Sequence, residues 1–304
     1  MMFFPCGVDL PISRFPVLTF VVCFFCFFIY LEQRSSETAY YDAFEDFCVE
    51  REVSDITAMA IRSVIKDEWE YPCWDLYTGI KDAEDPGAQI RDLVIAAKPL
   101  DVFKEGENER AYVEEILTSE YQAFRLAVPD NLTEQLVYDP EQISFWNMLT
   151  STFSHGDALH LGGNLLFFFA FAVSVEVILG HIAFALILIA MSVSTAIAYS
   201  LAVAGTPQAL PTLGLSGIVF GMIALLAILH PRLNLQVFVY ITILRMPALF
   251  IATWFIGWEI YYLTIYGNST DIGLTAHVSG AATGAIIGGL YWLFRADMLK
   301  RLEL

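Results

Sequence analysis

The sequence predicts an all-α polytopic membrane protein, and three observations support this prediction. Hydrophobic residues make up 57% of the 304 residues and the mean hydropathy is +0.57, whereas soluble domains are about 45–50% apolar. Apolar segments of about 18 or more residues are candidates for transmembrane helices. Six such segments occur, at roughly 15–31, 161–179, 182–204, 213–229, 246–266 and 274–294. The third observation is a long acidic stretch between the first and second apolar segments. Together the three observations predict a six-helix bundle with an extramembrane insert.

The uneven distribution of charge predicts the orientation of the spans. The net charge is −18, and residues 33–150 hold 26 acidic and 10 basic residues, a net of −16. The other basic residues precede the first span, lie between the fourth and fifth spans, or follow the sixth: Arg14, Arg232, Arg245, Arg295, Lys300 and Arg301. Because basic residues mark the cytoplasmic side, both termini are predicted to be cytoplasmic and the acidic insert to face outward. An acidic chain of this kind is not expected to bind nucleic acid.

The chain divides into four parts on this interpretation. They are the N-terminus with the first span (1–32), the acidic extracytoplasmic insert (33–127), the membrane core with spans two to six (128–296) and a cytoplasmic tail (297–304). The first apolar segment could instead be a cleaved signal peptide. Its apolar core is long for that purpose and residues 32–35 offer no small-x-small cleavage site, so we favour a retained span.

The acidic insert is long enough to form a small domain, although the simpler interpretation, which we favour, is a solvated insert without chemistry. Three of its stretches are predicted to be helical: Ala39–Val53, Ile56–Trp69 and Ala111–Leu126. Asp85-Pro86-Gly87 predicts a turn. Cys48 and Cys73 could form a disulfide in an oxidising compartment, but the sequence alone does not fix the pairing.

A serine and a histidine enter two different apolar segments, where polar groups are costly and tend to mark function. Ser216 begins the fourth span between Gly214 and Gly217, and His277 begins the sixth. Together they suggest a nucleophile and its general base. Taken singly, Ser216 could be a membrane serine bonded to the backbone, and His277 could lie at a water-filled helix end.

Small residues recur at every fourth position after both polar residues. The fourth span carries Gly217 and Gly221, and the sixth carries Gly280, Gly284 and Gly288. Such stripes allow two membrane helices to approach closely. We therefore expect the two helices to pack together and to bring the serine and the histidine near each other.

Further polar residues occur in the second and fifth spans. His160 and Asn164 are four residues apart at the start of the second span, so they share one helix face. They either donate hydrogen bonds to a ligand or only tie helices together. Glu259 is an ionisable residue at membrane depth and is expected to face protein or water, but the sequence gives it no role. The aromatic segment Phe145–Leu149 is predicted to lie at the outer membrane interface.

These motifs resemble those of a rhomboid intramembrane serine protease over about residues 143–295. They are the aromatic segment with His155 and His160-x-x-x-Asn164, then Gly214-x-Ser216-Gly217 with Phe220-Gly221, and last Ala276-His277-x-x-Gly280-x-x-x-Gly284. A GxSG motif alone is weak evidence for this family, because the motif also occurs in soluble hydrolases. All three motifs in this order, each at the start of a span, form a specific pattern.

The resemblance implies a rhomboid-like bundle that cleaves single-span or other transmembrane proteins in or near their membrane helices, without a cofactor or metal. It implies a dyad without a third acidic member, with Ser216 as nucleophile and His277 as base. His160, Asn164 and the Ser216 backbone N–H would stabilise the oxyanion. Supporting roles would belong to His155, a polar structural residue near the site opening, to Phe220, packed on the histidine, and to Gly214, Gly217 and Gly280.

Two features depart from the family pattern. Many members have Trp-Arg where this chain has Trp146-Asn147, which puts one structural contact in question, and the long acidic insert is unusual. Two other functions stay open. An inactive relative that binds membrane proteins would usually lack the serine or the histidine, and a transporter or channel would carry polar groups along a whole route. The N-terminus is not Arg-rich, so a bacterial cytoplasmic membrane is expected rather than an organelle. The oligomeric state is not predicted.

Overall fold

The computed structural model describes residues 3–8, 14–100, 108–204, 209–239, 241–266 and 273–302. The chain forms two compact units, here named the membrane unit (Met1–Gln33 and Thr133–Leu304) and the acidic unit (Arg34–Leu132). The elements in chain order are β1 (Phe3–Val8), α1 (Val17–Val49), α2 (Asp55–Val64), α3 (Pro72–Lys81), α4 (Pro86–Ile95), α5 (Glu109–Ala127), α6 (Leu132–Leu136), α7 (Phe145–Thr150), a 3₁₀ turn (Ser151–Phe153), α8 (Ala158–Leu179), α9 (His181–Val203), α10 (Ser216–Leu229), β2 (Asn234–Val239), β3 (Thr242–Pro247), α11 (Ala248–Tyr266) and α12 (Leu274–Leu302).

Four of these helices are long and apolar enough to cross a membrane, namely α1, α8, α9 and α11. They contain the predicted first, second, third and fifth spans. The predicted fourth span corresponds to the shorter apolar helix α10, and the sixth lies within α12. The helix that holds the first span continues to Val49, well beyond the predicted end of that span at residue 31.

Helix α10 lies at the centre of the membrane unit. Eleven of its 14 residues are buried, as expected for a helix that is apolar on every side. It packs against α8, α9, α11 and α12, and its side chains form much of the hydrophobic core. At about 1.5 Å per residue the helix is about 21 Å long, so it is shorter than a typical membrane-crossing helix.

A three-stranded antiparallel sheet, in the order β1-β2-β3, departs from the all-α prediction. The first four residues of its second strand alternate polar and apolar, and Leu235 and Val237 are fully buried. A two-residue period predicts a strand, but the segment is short and lies between two long apolar runs. The sequence therefore predicts no regular structure for this segment between the fourth and fifth spans.

The acidic unit has a hydrophobic core of its own, which includes Tyr40, Phe44, Leu76, Ile80, Leu117 and Phe124. A disulfide joins Cys48 to Cys73, so the pairing that the sequence left open is present. The turn predicted at Asp85-Pro86-Gly87 is wrong, because Pro86 begins α4. The Asp85 carboxylate accepts a hydrogen bond from the Ala88 N–H at 3.0 Å. Asp followed by Pro is also a helix-start signal.

Glycines bring α10 and α12 into backbone contact. A Cβ atom at Gly280 would overlap the backbone carbonyl of Gly217, and one at Gly284 would overlap that of Gly221. At Gly217, an added Cβ would lie 3.2 Å from the Ala276 carbonyl oxygen. The predicted close approach of the two stripes is therefore present, and its cause is the missing side chains on both helices.

Replacing Gly284 with alanine is expected to destabilise the membrane unit by about 1–3 kcal/mol, because the added methyl group must push two backbones apart. The matched control is Gly289→Ala in the same helix, where an added Cβ meets no atom within 4 Å. The control is expected to retain or gain stability, since alanine favours helix. Unfolding curves in detergent compare the two variants, and equal stability would contradict the proposed backbone contact.

A buried carboxylate holds the start of α1. Glu176 of α8 is fully buried and accepts hydrogen bonds from the Leu18 N–H at 2.8 Å and the Thr19 N–H at 2.7 Å. It also accepts from the Thr19 hydroxyl at 2.7 Å and contacts His181 Nδ1 at 2.6 Å. The first N–H groups of a helix lack partners within the helix and favour negative charge. Glu176 supplies both a hydrogen-bond acceptor and a negative charge to these N–H groups, and thus fixes the position of α1 against α8.

Candidate active site

The predicted site residues meet at one cavity of about 670 Å³ in the membrane unit. This volume is within the range of about 300–1,000 Å³ that is usual for ligand pockets. The lining includes seven of the predicted site residues: His160, Asn164, Gly214, Ser216, Gly217, Phe220 and His277. The other two, His155 and Gly280, are outside the lining and contact residues that belong to it.

The segment before Ser216 is held by backbone hydrogen bonds on both sides. Thr212 and Tyr138 exchange two of them, at 2.8 and 3.0 Å, and the Gly214 N–H donates to the Ser151 carbonyl at 2.8 Å. The Tyr138 side chain is fully buried and its hydroxyl is 2.7 Å from that of Ser200. Ser216 then begins α10, so the first turn of a buried helix fixes its position.

Gly214 is required where it stands for two reasons. Its φ is +113°, a conformation that residues with a side chain rarely adopt. An added Cβ would also lie 2.9 Å from the His160 ring and 3.5 Å from Asn164 Nδ2. The backbone that leads to Ser216 therefore passes directly over the two side chains that were predicted to bind an oxyanion.

His160 and Asn164 project from the start of α8 into the cavity. Asp157 caps this helix, since its Oδ1 accepts from the N–H groups of Leu159 and His160, both at 2.8 Å. Asn164 is buried, and its Nδ2 has no hydrogen-bond partner among the described residues. An unpaired buried donor is costly. It is therefore a free donor that an acceptor in the cavity could use.

His277 is held by an aromatic ring and by a carboxylate. It lies in the first turn of α12 and is 9% exposed. The Phe220 ring stacks on the imidazole with centroids 4.6 Å apart and planes 16° apart. Glu259 Oε2 of α11 is 2.9 Å from His277 Nδ1.

The contact with Glu259 was missed by sequence reasoning. The resemblance implied no acidic partner for the histidine, and the two residues are 18 positions apart on different helices. The available signal was an ionisable side chain at membrane depth, which must face protein or water. That signal identified Glu259 as unusual but could not identify its partner.

His155 packs against the ring of His160. It is 2% exposed, and its backbone N–H donates to Gln33 Oε1 at 3.1 Å. Its ring meets the His160 ring edge to face, with centroids 5.2 Å apart. Burial lowers the pKa of His155 to about 4, so this ring is neutral near pH 7 and adds no positive charge behind His160.

Asn147, which replaces the arginine of many family members, makes its own structural contacts. Its Nδ2 donates to the carbonyls of Gln135 and Val137, at 3.0 and 2.9 Å, and its Oδ1 accepts from the Ser144 hydroxyl at 2.6 Å. The neighbouring Trp146 is 72% exposed, as suits a residue at a membrane interface. The segment is thus tied down without a positive charge.

Comparison with known proteins gives a consistent result. A family model described as "Rhomboid domain" matches residues 142–294, half of the chain. The chain is also 32% identical over 153 residues to "RHOMBOID-like protein 12, mitochondrial" of Arabidopsis thaliana. That alignment covers 46% of this chain and 44% of the relative, so the chain matches less than half of the relative's length.

Proposed function

Because this chain belongs to the rhomboid family, we propose that it is an intramembrane serine endopeptidase with Ser216 as nucleophile and His277 as general base. One observation carries the proposal: Ser216, His277, His160 and Asn164 all line the same cavity. The substrates would be single-span or other membrane proteins, cut in or near their transmembrane helices. No cofactor or metal enters the proposed reaction.

In the proposed reaction, the Ser216 Oγ attacks the scissile carbonyl carbon while its proton passes to His277. The carbonyl oxygen becomes an oxyanion, to which Asn164, His160 and the Ser216 N–H would donate hydrogen bonds. Collapse of the intermediate breaks the C–N bond, and the leaving amine takes the proton from His277. A water molecule then gives a proton to His277 while its oxygen attacks the acyl carbon. The ester C–O bond breaks, the Ser216 oxygen takes the proton back from His277, and the second product leaves.

The surroundings of the cavity support hydrolysis rather than transport. Polar side chains gather at the starts of α8, α10 and α12, and the 670 Å³ volume has room for a peptide segment and water. The hydrophobic core of the membrane unit, by contrast, is formed by apolar residues of α1, α8, α9, α10, α11 and β2. A transporter would need polar groups along a whole route, so the gathering of these groups near one end favours a hydrolytic site.

We further propose six spans, with α10 and the apolar part of α12 as the fourth and sixth, both termini in the cytoplasm and the acidic unit outside. The Cys48–Cys73 disulfide supports an oxidising environment for the acidic unit. A bacterial cytoplasmic membrane remains our proposal for the location. The mitochondrial location in the name of the plant relative refers to that protein.

The second candidate function is a catalytically silent rhomboid-like factor that binds membrane proteins. Its specific support is the acidic unit, which has its own core and disulfide. Ser216 and His277 are both present, however, and inactive relatives usually lack one of them. We therefore place this candidate second.

A phosphonylating probe tests the proposed function directly. The purified chain in liposomes would be incubated with a single-span substrate, with and without a fluorophosphonate, and the labelled peptides mapped by mass spectrometry. We expect cleavage, its loss on labelling, and one adduct on Ser216. Ser192 is an internal control, because it lines the same cavity but its hydroxyl donates to the Leu188 carbonyl at 3.0 Å. No adduct on Ser216 and no cleavage of several substrates would favour the binding factor.

A further inference from the structure

Glu259 and His277 form a close contact between α11 and α12. The Glu259 Oε2 and His277 Nδ1 atoms are 2.9 Å apart, which is an ordinary hydrogen-bond distance. The two side chains are only 15% and 11% exposed. Charged groups at membrane depth are expensive unless they are paired, so this contact satisfies a carboxylate that would otherwise be costly.

The contact fixes the protonation pattern of the imidazole. An ionised carboxylate only accepts hydrogen bonds, so an ionised Glu259 requires the proton of a neutral His277 to be on Nδ1. The other nitrogen, Nε2, then carries the lone pair that a general base needs. Without the carboxylate, the neutral ring could hold its proton on either nitrogen, and one of the two forms would be unable to accept a proton from Ser216.

Phe220 and Glu259 constrain the ring in different ways. The Phe220 ring covers one face of the imidazole, with planes 16° apart, and this sets the plane of the ring. Stacking alone would allow the imidazole to flip within that plane. The hydrogen bond from Nδ1 to Glu259 removes this freedom, because only one of the two ring orientations places Nδ1 at the carboxylate.

We propose that Glu259 is a positioning residue for His277, so that the site works as the series Glu259–His277–Ser216 rather than as an isolated dyad. This inference rests on the proposed protease function. When Ser216 attacks, its proton moves to His277 Nε2, and Glu259 stays ionised and stabilises the resulting imidazolium. The same proton then leaves with the amine product, and Glu259 takes up no proton at any step.

The pH dependence of cleavage separates this role from a purely structural one. The titratable side chains among the described residues that line the cavity are His160, Glu259 and His277. Removing a neighbouring charge changes the pH at which an imidazole takes up a proton, so the acid limb of the kcat/KM profile is expected to move.

The experiment compares wild type with Glu259→Gln, Glu259→Asp and the control Thr253→Val, using a single-span substrate in liposomes between about pH 5 and 9. Thr253 is on the same helix, is exposed, and donates to the Leu249 carbonyl at 2.8 Å within that helix. We expect Glu259→Gln to lower kcat by about 10²-fold with little change in KM, and to move the acid limb. Glu259→Asp should recover part of the rate, and Thr253→Val should match wild type.

The outcomes distinguish the role of Glu259 from the proposed protease function. If wild type cleaves and a folded Glu259→Gln variant keeps the same kcat and the same acid limb, the proposed role of Glu259 is overturned. The proposed protease function is then unaffected. Wild type that cleaves nothing would overturn the proposed function and this inference with it. If Glu259→Gln has a lowered melting temperature in detergent, the Glu259→Asp variant gives the deciding result. If Glu259 only ties the two helices together, Glu259→Asp would restore stability without lowering kcat or moving the acid limb of the pH profile.

Discussion

Alanine at Ser216 is expected to lower the rate of cleavage by about 10⁴–10⁶-fold, and alanine at His277 is expected to do the same. The two residues act as one unit, because the base has no proton to accept without the nucleophile's hydroxyl. The double variant should therefore be no slower than either single variant. The measurement is kcat/KM for each variant in liposomes, with enough enzyme to detect the residual rate.

The fold should survive both changes, and this can be checked in the same samples. Ser216→Ala removes one oxygen atom from the first turn of α10 and leaves the helix contacts at Gly217 and Gly221 in place. His277→Ala loses the stack on Phe220 and the contact with the Glu259 carboxylate, so a drop in melting temperature is expected for that variant alone. A folded Ser216→Ala variant that still cleaves would remove Ser216 from the nucleophile role.

Alanine at Asn164 is expected to reduce kcat by about 10²–10³-fold with little effect on KM, because an oxyanion donor acts mainly in the transition state. The structure adds a second expectation. Asn164 Nδ2 has no partner among the described residues, so its removal should leave the melting temperature unchanged or raise it. Kinetics and melting curves on the same preparation measure both effects.

The combination distinguishes a catalytic donor from a structural one. A residue that only ties helices together would lose stability and activity in parallel when truncated. Asn164→Asp is a useful companion, since it keeps the shape but replaces the donor with a negative charge beside the oxyanion position. It should be at least as slow as Asn164→Ala. Loss of stability without loss of kcat would contradict the assignment of Asn164.

The sequence predicted those parts of the site that depend on local spacing. Gly217 and Gly221 opposite Gly280 and Gly284 predicted the contact between α10 and α12, because a missing side chain acts wherever the helices meet. His160 and Asn164 were correctly placed on one face, because a four-residue separation fixes that within any helix. The length of the apolar runs also located the segments now found in α1 and in α8 to α12.

The remainder depends on tertiary contacts that no spacing encodes. The contact of Glu259 with His277 arises only when two helices are packed, and so do the anchoring hydrogen bonds of Asn147. The sheet was missed because its strands are short and the first lies far away in the chain from the other two. Helix α4 was missed because a Pro-Gly pair favours a turn, whereas Asp85 in the structure caps a helix.

The short length of α10 sets a depth scale for the chemistry. The helix ends at Leu229, and His230 and Arg232 follow immediately, as expected near a membrane boundary. If Leu229 marks that boundary, a helix of about 21 Å within a hydrocarbon layer of about 30 Å stops about 9 Å short of the opposite surface. Ser216 would then reach bonds up to about six helical residues inside a substrate's span. The depth of Ser216 would thus select the cleavage position by its distance from the membrane surface as well as by sequence.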